Sequence, residues 1–117
     1  YEIMPSLVGS EMCKETDGAL TQLTRDHRFA LGGRHELYQY LGASDEDTEI
    51  SPTIGKIDRV AGERLLLCTD GVSGKLSDEE LAAMLTAHPD AGDAAGAIIA
   101  AVKSVATDNA TVLVVDL

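Results

Sequence analysis

Two aspartates stand at the ends of apolar runs, where their side chains could do chemistry. Asp70 directly follows the run at 64–69, and Asp108 lies two residues before the run at 110–115. If the two runs pair as antiparallel strands, both carboxylates emerge at the same edge of one sheet. Such oxygens suit Mg²⁺ or Mn²⁺, and a metal-bound water can act as a nucleophile at neutral pH. A structural turn is the alternative, because Asp-Gly and Asp-Asn are common turn dipeptides.

The other reactive residue types form no recognisable catalytic pattern. His27, His35 and His88 lie in unrelated local contexts, without the spacing of a metal site or a catalytic triad. Ser73 follows a metal-type aspartate and is predicted to be a loop residue. We therefore assign no side chain the role of catalytic nucleophile or base.

The elements that position the two aspartates are clearest in the second half. The runs at 64–69 and 110–115 are apolar or β-branched and predict two buried strands, the first of them buried on both faces. Between them, a capping box formed by Ser77 and Glu80 predicts the start of a helix, which Pro89 ends.

A second helix is predicted by apolar residues at helical spacing between Ala94 and Val105. Upstream, Asp17-Gly18 is a turn signal, and residues 19–24 alternate like a half-buried strand. Strands followed by two helices and a last strand predict the α+β class rather than a βαβ repeat.

Composition and charge limit the classes of partner. Hydrophobic residues make up 44% and charged residues 25% of the 117 residues, which predicts a single domain over 1–117. The formal net charge of −11 repels phosphate backbones and anionic headgroups, so nucleic acid and membrane surfaces are excluded as partners. Cations are attracted, in keeping with a metal site.

The two cysteines indicate a reducing compartment. Cys13 and Cys68 are far apart in the sequence, and neither has a second cysteine nearby. This excludes a CxxC zinc or redox site. We expect a cytoplasmic protein in which Cys68 is a small core residue.

Several segments, taken together and in order, resemble the type-2C metal-dependent protein phosphatases, especially the bacterial ones. The resemblance is carried by RLLLCTDGV at 64–72 with LSDEEL at 76–81, by DNATVLVV at 108–115, by GALTQLTRDH at 18–27, and by QYLG at 39–42. It implies that Asp70 and Asp108 are ligands of the catalytic Mg²⁺ or Mn²⁺ ions, and that Gly71 lets the backbone pass close to them.

The same resemblance implies a fold and an activity. The fold is part of the α-β-β-α sandwich of that family. The activity is that of a phosphoserine/phosphothreonine protein phosphatase, in which a metal-activated water attacks the phosphorus of a phosphoprotein substrate. The protein forms no covalent intermediate.

The resemblance covers only the C-terminal half of that catalytic domain. The N-terminal half, with a phosphate-binding arginine and a D-G-x-G-G motif, has no counterpart in the sequence. We therefore expect weak metal binding, no activity of the isolated chain, and a homodimer or other self-association through uncovered sheet surface. The alternative is a non-catalytic phosphatase-like interaction module.

Overall fold

The computed structural model describes residues 10–26 and 54–117 of the chain. Within these ranges the order of elements is β1 (Ser10–Thr16), β2 (Ala19–Gln22), β3 (Arg64–Thr69), α1 (Asp70–Ser73), α2 (Asp78–Ala87), α3 (Ala91–Lys103) and β4 (Val112–Asp116). The strands form one antiparallel sheet in the order β2-β1-β3-β4. The predicted α+β class is confirmed.

Strands β1 and β2 form a hairpin with Asp17 and Gly18 at its turn. Both residues have positive φ, 51° and 83°, the conformation that two-residue hairpin turns favour. The Gly18 N–H donates to Glu15 Oε1 at 2.7 Å, which braces the turn. The turn prediction is confirmed, whereas β1 is a strand that its charged sequence SEMCKET does not predict.

Strand β3 is central and has the bounds predicted for it. Its register places Leu66 opposite Cys13 on β1 and opposite Val114 on β4. Side chains along β3 alternate between buried and partly buried, so the prediction of a strand buried on both faces is wrong. The reason is that the described helices pack their apolar side chains on one face of the sheet.

Both longer helices begin at side-chain caps. Ser77 Oγ accepts from the Glu80 N–H at 3.2 Å, and Glu80 Oε2 accepts from the Ser77 N–H at 2.8 Å, which confirms the predicted capping box. Helix α2 then ends at Ala87, before Pro89. Helix α3 begins earlier than predicted, because Asp90 Oδ1 accepts from the Asp93 N–H at 2.9 Å.

The core lies between the sheet and helices α2 and α3. Its largest fully buried side chains are Leu66, Val72, Leu81, Leu85, Ile98 and Val102. Strand β4 departs from its prediction as a buried strand, because Leu113 is 54% and Val115 36% exposed. By register these two share the side of the sheet away from the core, called here the open face, with Met12, Lys14, Thr21, Leu65 and Leu67.

Among residues 10–26 and 54–117, no helix is long and apolar enough to cross a bilayer. The QYLG motif at 39–42, His27 and His35 lie outside the described residues.

Candidate metal centre at the sheet edge

The end of β3 and the start of β4 lie side by side. The register pairs Cys68 with Val112, and the Thr69 N–H donates to the Thr111 carbonyl at 3.1 Å one step further on. The antiparallel pairing on which the sequence argument depends is therefore confirmed. It brings the segment after β3 to the same sheet edge as the segment before β4, and we call residues 69–71 and 108–111 the aspartate edge.

Gly71 is the point of closest approach within the aspartate edge. A Cβ atom built on Gly71 would lie 2.0 Å from the Asn109 carbonyl oxygen and 3.3 Å from the Ala110 Cα. No side chain fits at this distance, so only glycine lets the two backbones meet. Asp70 and Asp108 are the residues immediately before the two contacting backbones.

The two carboxylates differ in their surroundings. Asp70 Oδ1 is buried and accepts no hydrogen bond from the described residues. Asp108 is exposed, and its Oδ1 accepts from the Asn109 N–H at 2.7 Å. Burying a carboxylate oxygen without a hydrogen-bond donor is unfavourable for stability. Asp70 is therefore the member of the pair that a nearby cation would stabilise more.

Ser73 is the last residue of the short helix α1, not the loop residue that was predicted. Its hydroxyl donates to Glu11 Oε1 at 3.0 Å, which ties α1 to β1. The sequence did not predict this contact of Glu11, because SEMCKET lacks the alternation that would mark a strand and place Glu11 on the same face as Cys13.

The aspartate edge does not amount to a full metal site. Within residues 10–26 and 54–117, no three histidine, cysteine or acidic side chains form a group that could hold a metal ion. His88 lies past the end of α2, where its carbonyl accepts from Arg64 Nη1 at 2.5 Å. Among the described residues, the aspartate edge thus holds two aspartates with no third candidate ligand beside them.

Both cysteines, Cys13 in β1 and Cys68 in β3, are free and buried. Burial, with the nearby charge of Glu11, raises the pKa of Cys68 to about 12 and that of Cys13 to about 11. A thiol with so high a pKa stays protonated and is a poor nucleophile. The predicted core role of Cys68 is confirmed.

Comparison with known proteins identifies the family. No family model matches the chain. The serine/threonine protein phosphatase PstP of Mycobacterium tuberculosis (strain CDC 1551 / Oshkosh) is 33% identical over 112 residues, a match that covers 86% of this chain and 22% of PstP. A crystal structure of M. tuberculosis PstP/Ppp matches with a TM-score of 0.80 at 29% identity, covering 94% of this chain and 52% of that one. The chain corresponds to part of a bacterial-type type-2C serine/threonine phosphatase.

A second similar structure bears on metal binding. The catalytic domain of PstP, solved in complex with two manganese ions, matches with a TM-score of 0.71 at 29% identity. The match covers 93% of this chain and 50% of that one. The chain therefore spans about half the length of the solved relatives that it matches.

Proposed function

We propose that this chain forms the metal-binding edge of a phosphoserine/phosphothreonine protein phosphatase that uses Mg²⁺ or Mn²⁺. Asp70 and Asp108 are its metal ligands, and the Gly71 backbone borders the ion. The observation that carries this assignment is the buried Asp70 Oδ1, which accepts no hydrogen bond from the described residues. Such an oxygen is unfavourable in the free chain and becomes favourable when a cation approaches it.

The donor set of the aspartate edge fits a hard divalent cation. Mg²⁺ and Mn²⁺ prefer carboxylate and water oxygens, and Mg²⁺ is commonly held by one or two carboxylates while it keeps several waters. No group of three potential ligands occurs in the described chain. Binding by this chain alone is therefore expected to be weak, about millimolar, because affinity follows the number of charged ligands.

When bound, the metal supplies an activated water and polarises the phosphoryl oxygens. The chain's own part is to hold two carboxylates on rigid elements, one after β3 and one before β4. The net charge of −11 attracts the cation but repels a phosphate dianion. We therefore assign capture of the phosphate to the part of a full phosphatase domain that this chain does not span.

The relatives support both the substrate class and the metal. PstP is named a serine/threonine protein phosphatase, and its catalytic domain was solved with two manganese ions. This chain spans only 22% of the curated PstP sequence, so phosphatase activity is assigned to a complete domain. The isolated chain is expected to be inactive, since in-line attack needs the full metal site and a phosphate clamp together.

Metal titration tests the aspartate edge directly. Free Mn²⁺, followed by electron paramagnetic resonance, should be depleted by millimolar wild-type chain and left free by Asp70→Asn and by Asp108→Asn. Asp93→Asn is the matched control, because it removes the same charge from an exposed position on α3. Equal binding by Asp70→Asn and by the control would contradict the assignment.

An activity assay tests the assignment to a complete domain. The isolated chain, with p-nitrophenyl phosphate or a phosphothreonine peptide and millimolar Mn²⁺, is expected to give no turnover. Turnover that disappears in Asp70→Asn would instead place a working site within this chain.

The open face favours a second role, as a binding module. Leu113 and Val115 lie exposed beside the partly buried Leu65 and Leu67, an apolar patch of the kind that marks interaction surfaces. We propose that a second copy covers it, which gives a homodimer. Light scattering at tens of micromolar should give the mass of a dimer for the wild type and of a monomer for Leu113→Thr. Val105→Thr is the control, since Val105 is equally exposed outside the open face.

We also propose that the protein works in the reducing cytoplasm. Cys13 and Cys68 are unpaired and buried, as reduced core cysteines are. Both thiols should react with a thiol reagent only on unfolding, and disulfide-linked chains in a cell extract would contradict the proposal.

A further inference from the structure

Thr69 occupies an unusual position at the junction of β3 and α1. It is the N-cap residue of α1, where a threonine hydroxyl ordinarily accepts from an N–H of the first turn. Here the Thr69 side chain makes no such capping bond. Its Oγ1 instead accepts from the Thr111 N–H at 3.0 Å, across the sheet edge.

We propose that Thr69 is a positioning residue that sets the spacing of the Asp70 and Asp108 carboxylates through this hydrogen bond. This inference rests on the proposed function, in which the two aspartates bind a divalent metal. In this proposal Thr69 itself is assigned no contact with the metal or the substrate.

The Thr69 hydroxyl accepts the hydrogen bond that the Thr69 carbonyl would accept in a regular sheet. In a regular antiparallel ladder, Thr69 and Thr111 would exchange two bonds between N–H and carbonyl groups. The Thr69 N–H does donate to the Thr111 carbonyl at 3.1 Å. The carbonyl of an N-cap residue, however, turns to serve the helix that begins there. Thr69 Oγ1 takes the Thr111 N–H in its place, so the ladder extends one step beyond Cys68 and Val112.

This extra step reaches the aspartates. Asp70 follows Thr69 directly, and Asp108 precedes Thr111 by three residues. Between them, the close approach of Gly71 to the Asn109 carbonyl tolerates little displacement in one direction. The Thr69 side-chain hydrogen bond adds to the backbone bond in opposing displacement in the other direction, because both resist separation of the strands at this step. Metal ligands must be held within about 0.5 Å of their productive geometry.

A threonine suits this position better than other residues. It is β-branched, so its χ1 is restricted and the hydroxyl is already aimed when the strand forms. Serine keeps the acceptor with a freer side chain, and valine keeps the shape without the acceptor. These two substitutions therefore separate the hydrogen bond from the packing of the side chain.

The test is a Mn²⁺ titration of the full 117-residue chain, with hydrogen exchange of the Thr111 amide measured by NMR. Thr69→Val should weaken Mn²⁺ binding about tenfold, as loss of a ligand-orienting partner commonly does, and should speed exchange of the Thr111 amide. Thr69→Ser should restore both to near wild type. Thr86→Val is the matched control, because it removes a hydroxyl that donates to Ala82 within α2.

A second variant removes the donor instead of the acceptor. Thr111→Pro deletes the N–H just before β4 begins, a place that tolerates proline. It should weaken Mn²⁺ binding to the same extent as Thr69→Val. The double variant should be no worse than either alone, because both remove one interaction.

The outcomes separate this proposal from the metal site itself. If Asp70→Asn weakens Mn²⁺ binding while Thr69→Val and Thr111→Pro do not, the metal site stands and the positioning role of Thr69 is overturned. If Asp70→Asn binds like the wild type, the proposed function fails and the role of Thr69 fails with it. Thr111 exchange would then still report whether the hydrogen bond forms.

Discussion

The two ends of strand β3 are built in opposite ways. At its start, Arg64 is 7% exposed, yet its guanidinium is well supplied with acceptors. Nε lies 2.6 Å from Asp116 Oδ1, and Nη1 donates to the carbonyl oxygens of Leu85 at 2.7 Å and His88 at 2.5 Å. Nη2 donates to the Pro89 carbonyl. Arg64 thus satisfies the carbonyls at the end of α2, which has no basic residue in its last turn.

At the other end of β3, the described part of the same chain leaves one carboxylate oxygen without a hydrogen-bond donor. Asp70 Oδ1 is buried without a donor among the described residues, and Gly71 is pressed against the Asn109 carbonyl. The strand is therefore anchored at its Arg64 end, whereas its Asp70 end keeps a buried carboxylate oxygen that the proposed metal would satisfy. Buried polar groups without hydrogen-bond partners are typical of functional sites. The stability that is lost at such a site must be supplied by other parts of the fold.

The largest effect is expected at the anchored end. Arg64→Met should lower the free energy of unfolding by about 3 kcal/mol, because it removes a buried charge partner and leaves buried carbonyl oxygens without donors. Urea unfolding measures this loss. Asp116→Asn, at an exposed partner of Arg64, should cost less than about 1 kcal/mol. Mn²⁺ binding by the surviving folded Arg64→Met chain should be unchanged, and a parallel loss of binding would break the division between the two ends.

Replacing glycine by alanine should change the stability in opposite directions at the aspartate edge and at an ordinary helix position. Gly71→Ala should cost about 2 kcal/mol, because its Cβ would lie 2.0 Å from the Asn109 carbonyl oxygen and force the backbones apart. Gly96→Ala should stabilise the chain by about 1 kcal/mol, because no described atom lies within 4 Å of the new methyl in α3. Thermal melts of the two variants test this contrast, and shifts of the same sign would contradict it.

Removing the charge at the open end should have the opposite effect to removing Arg64. Asp70→Asn should raise the free energy of unfolding by about 1 kcal/mol, because it neutralises a partly buried charge that lacks a donor. The same variant should lose Mn²⁺ binding. Urea unfolding in metal-free buffer gives the gain, with Asp93→Asn as the control for net charge. A destabilised Asp70→Asn chain would mean that the carboxylate serves the fold.

Local patterns predicted much of this molecule. Residue types alone gave the bounds of β3, the capping box at Ser77 and the turn at Asp17-Gly18, since each depends on neighbours along the chain. The antiparallel pairing that brings the segments of Asp70 and Asp108 to one edge was a hypothesis that a two-helix excursion permits, and the structure confirms it. The resemblance then supplied the family.

What the sequence did not predict depends on contacts between distant segments. The sequence alone predicts that Arg64, at the start of a strand, is a solvated charge. Its burial depends on the end of α2, which packs beside it in the fold. The exposure of one face of β4 depends on which side of the sheet the helices cover. A run such as VLVV does not indicate which face that is. The role of Thr69 depends on Thr111, which lies across a strand pair whose register a single sequence leaves open.

The buried thiols should make the free energy of unfolding depend on pH in the alkaline range. Burial raises the pKa of Cys68 from 9.0 to about 12, so the folded chain holds a proton that the unfolded chain releases. The stabilisation is complete below pH 9 and is lost as pH rises toward 12. At pH 9, where half of the unfolded thiols are ionised, the loss is about 0.4 kcal/mol for each. Urea unfolding at neutral pH and at pH 9 should show a smaller change for Cys68→Ala than for the wild type.

The smallest effect should come from Glu63, just before the anchored end of β3. Glu63 Oε2 lies 3.1 Å from Lys14 Nζ, and Oε1 accepts from the Thr16 hydroxyl at 2.9 Å. These bonds lower the pKa of Glu63 below its ordinary value of 4.5. The ionised form therefore adds stability above pH 4.5, which disappears as pH falls through the lowered pKa. Acid unfolding of Glu63→Gln should accordingly show a weaker dependence on pH than that of the wild type or of Glu79→Gln, an exposed control on α2. Added salt should shrink this difference, because the Lys14 side of the ion pair is partly exposed and can be screened, whereas the contribution of buried Arg64 should persist.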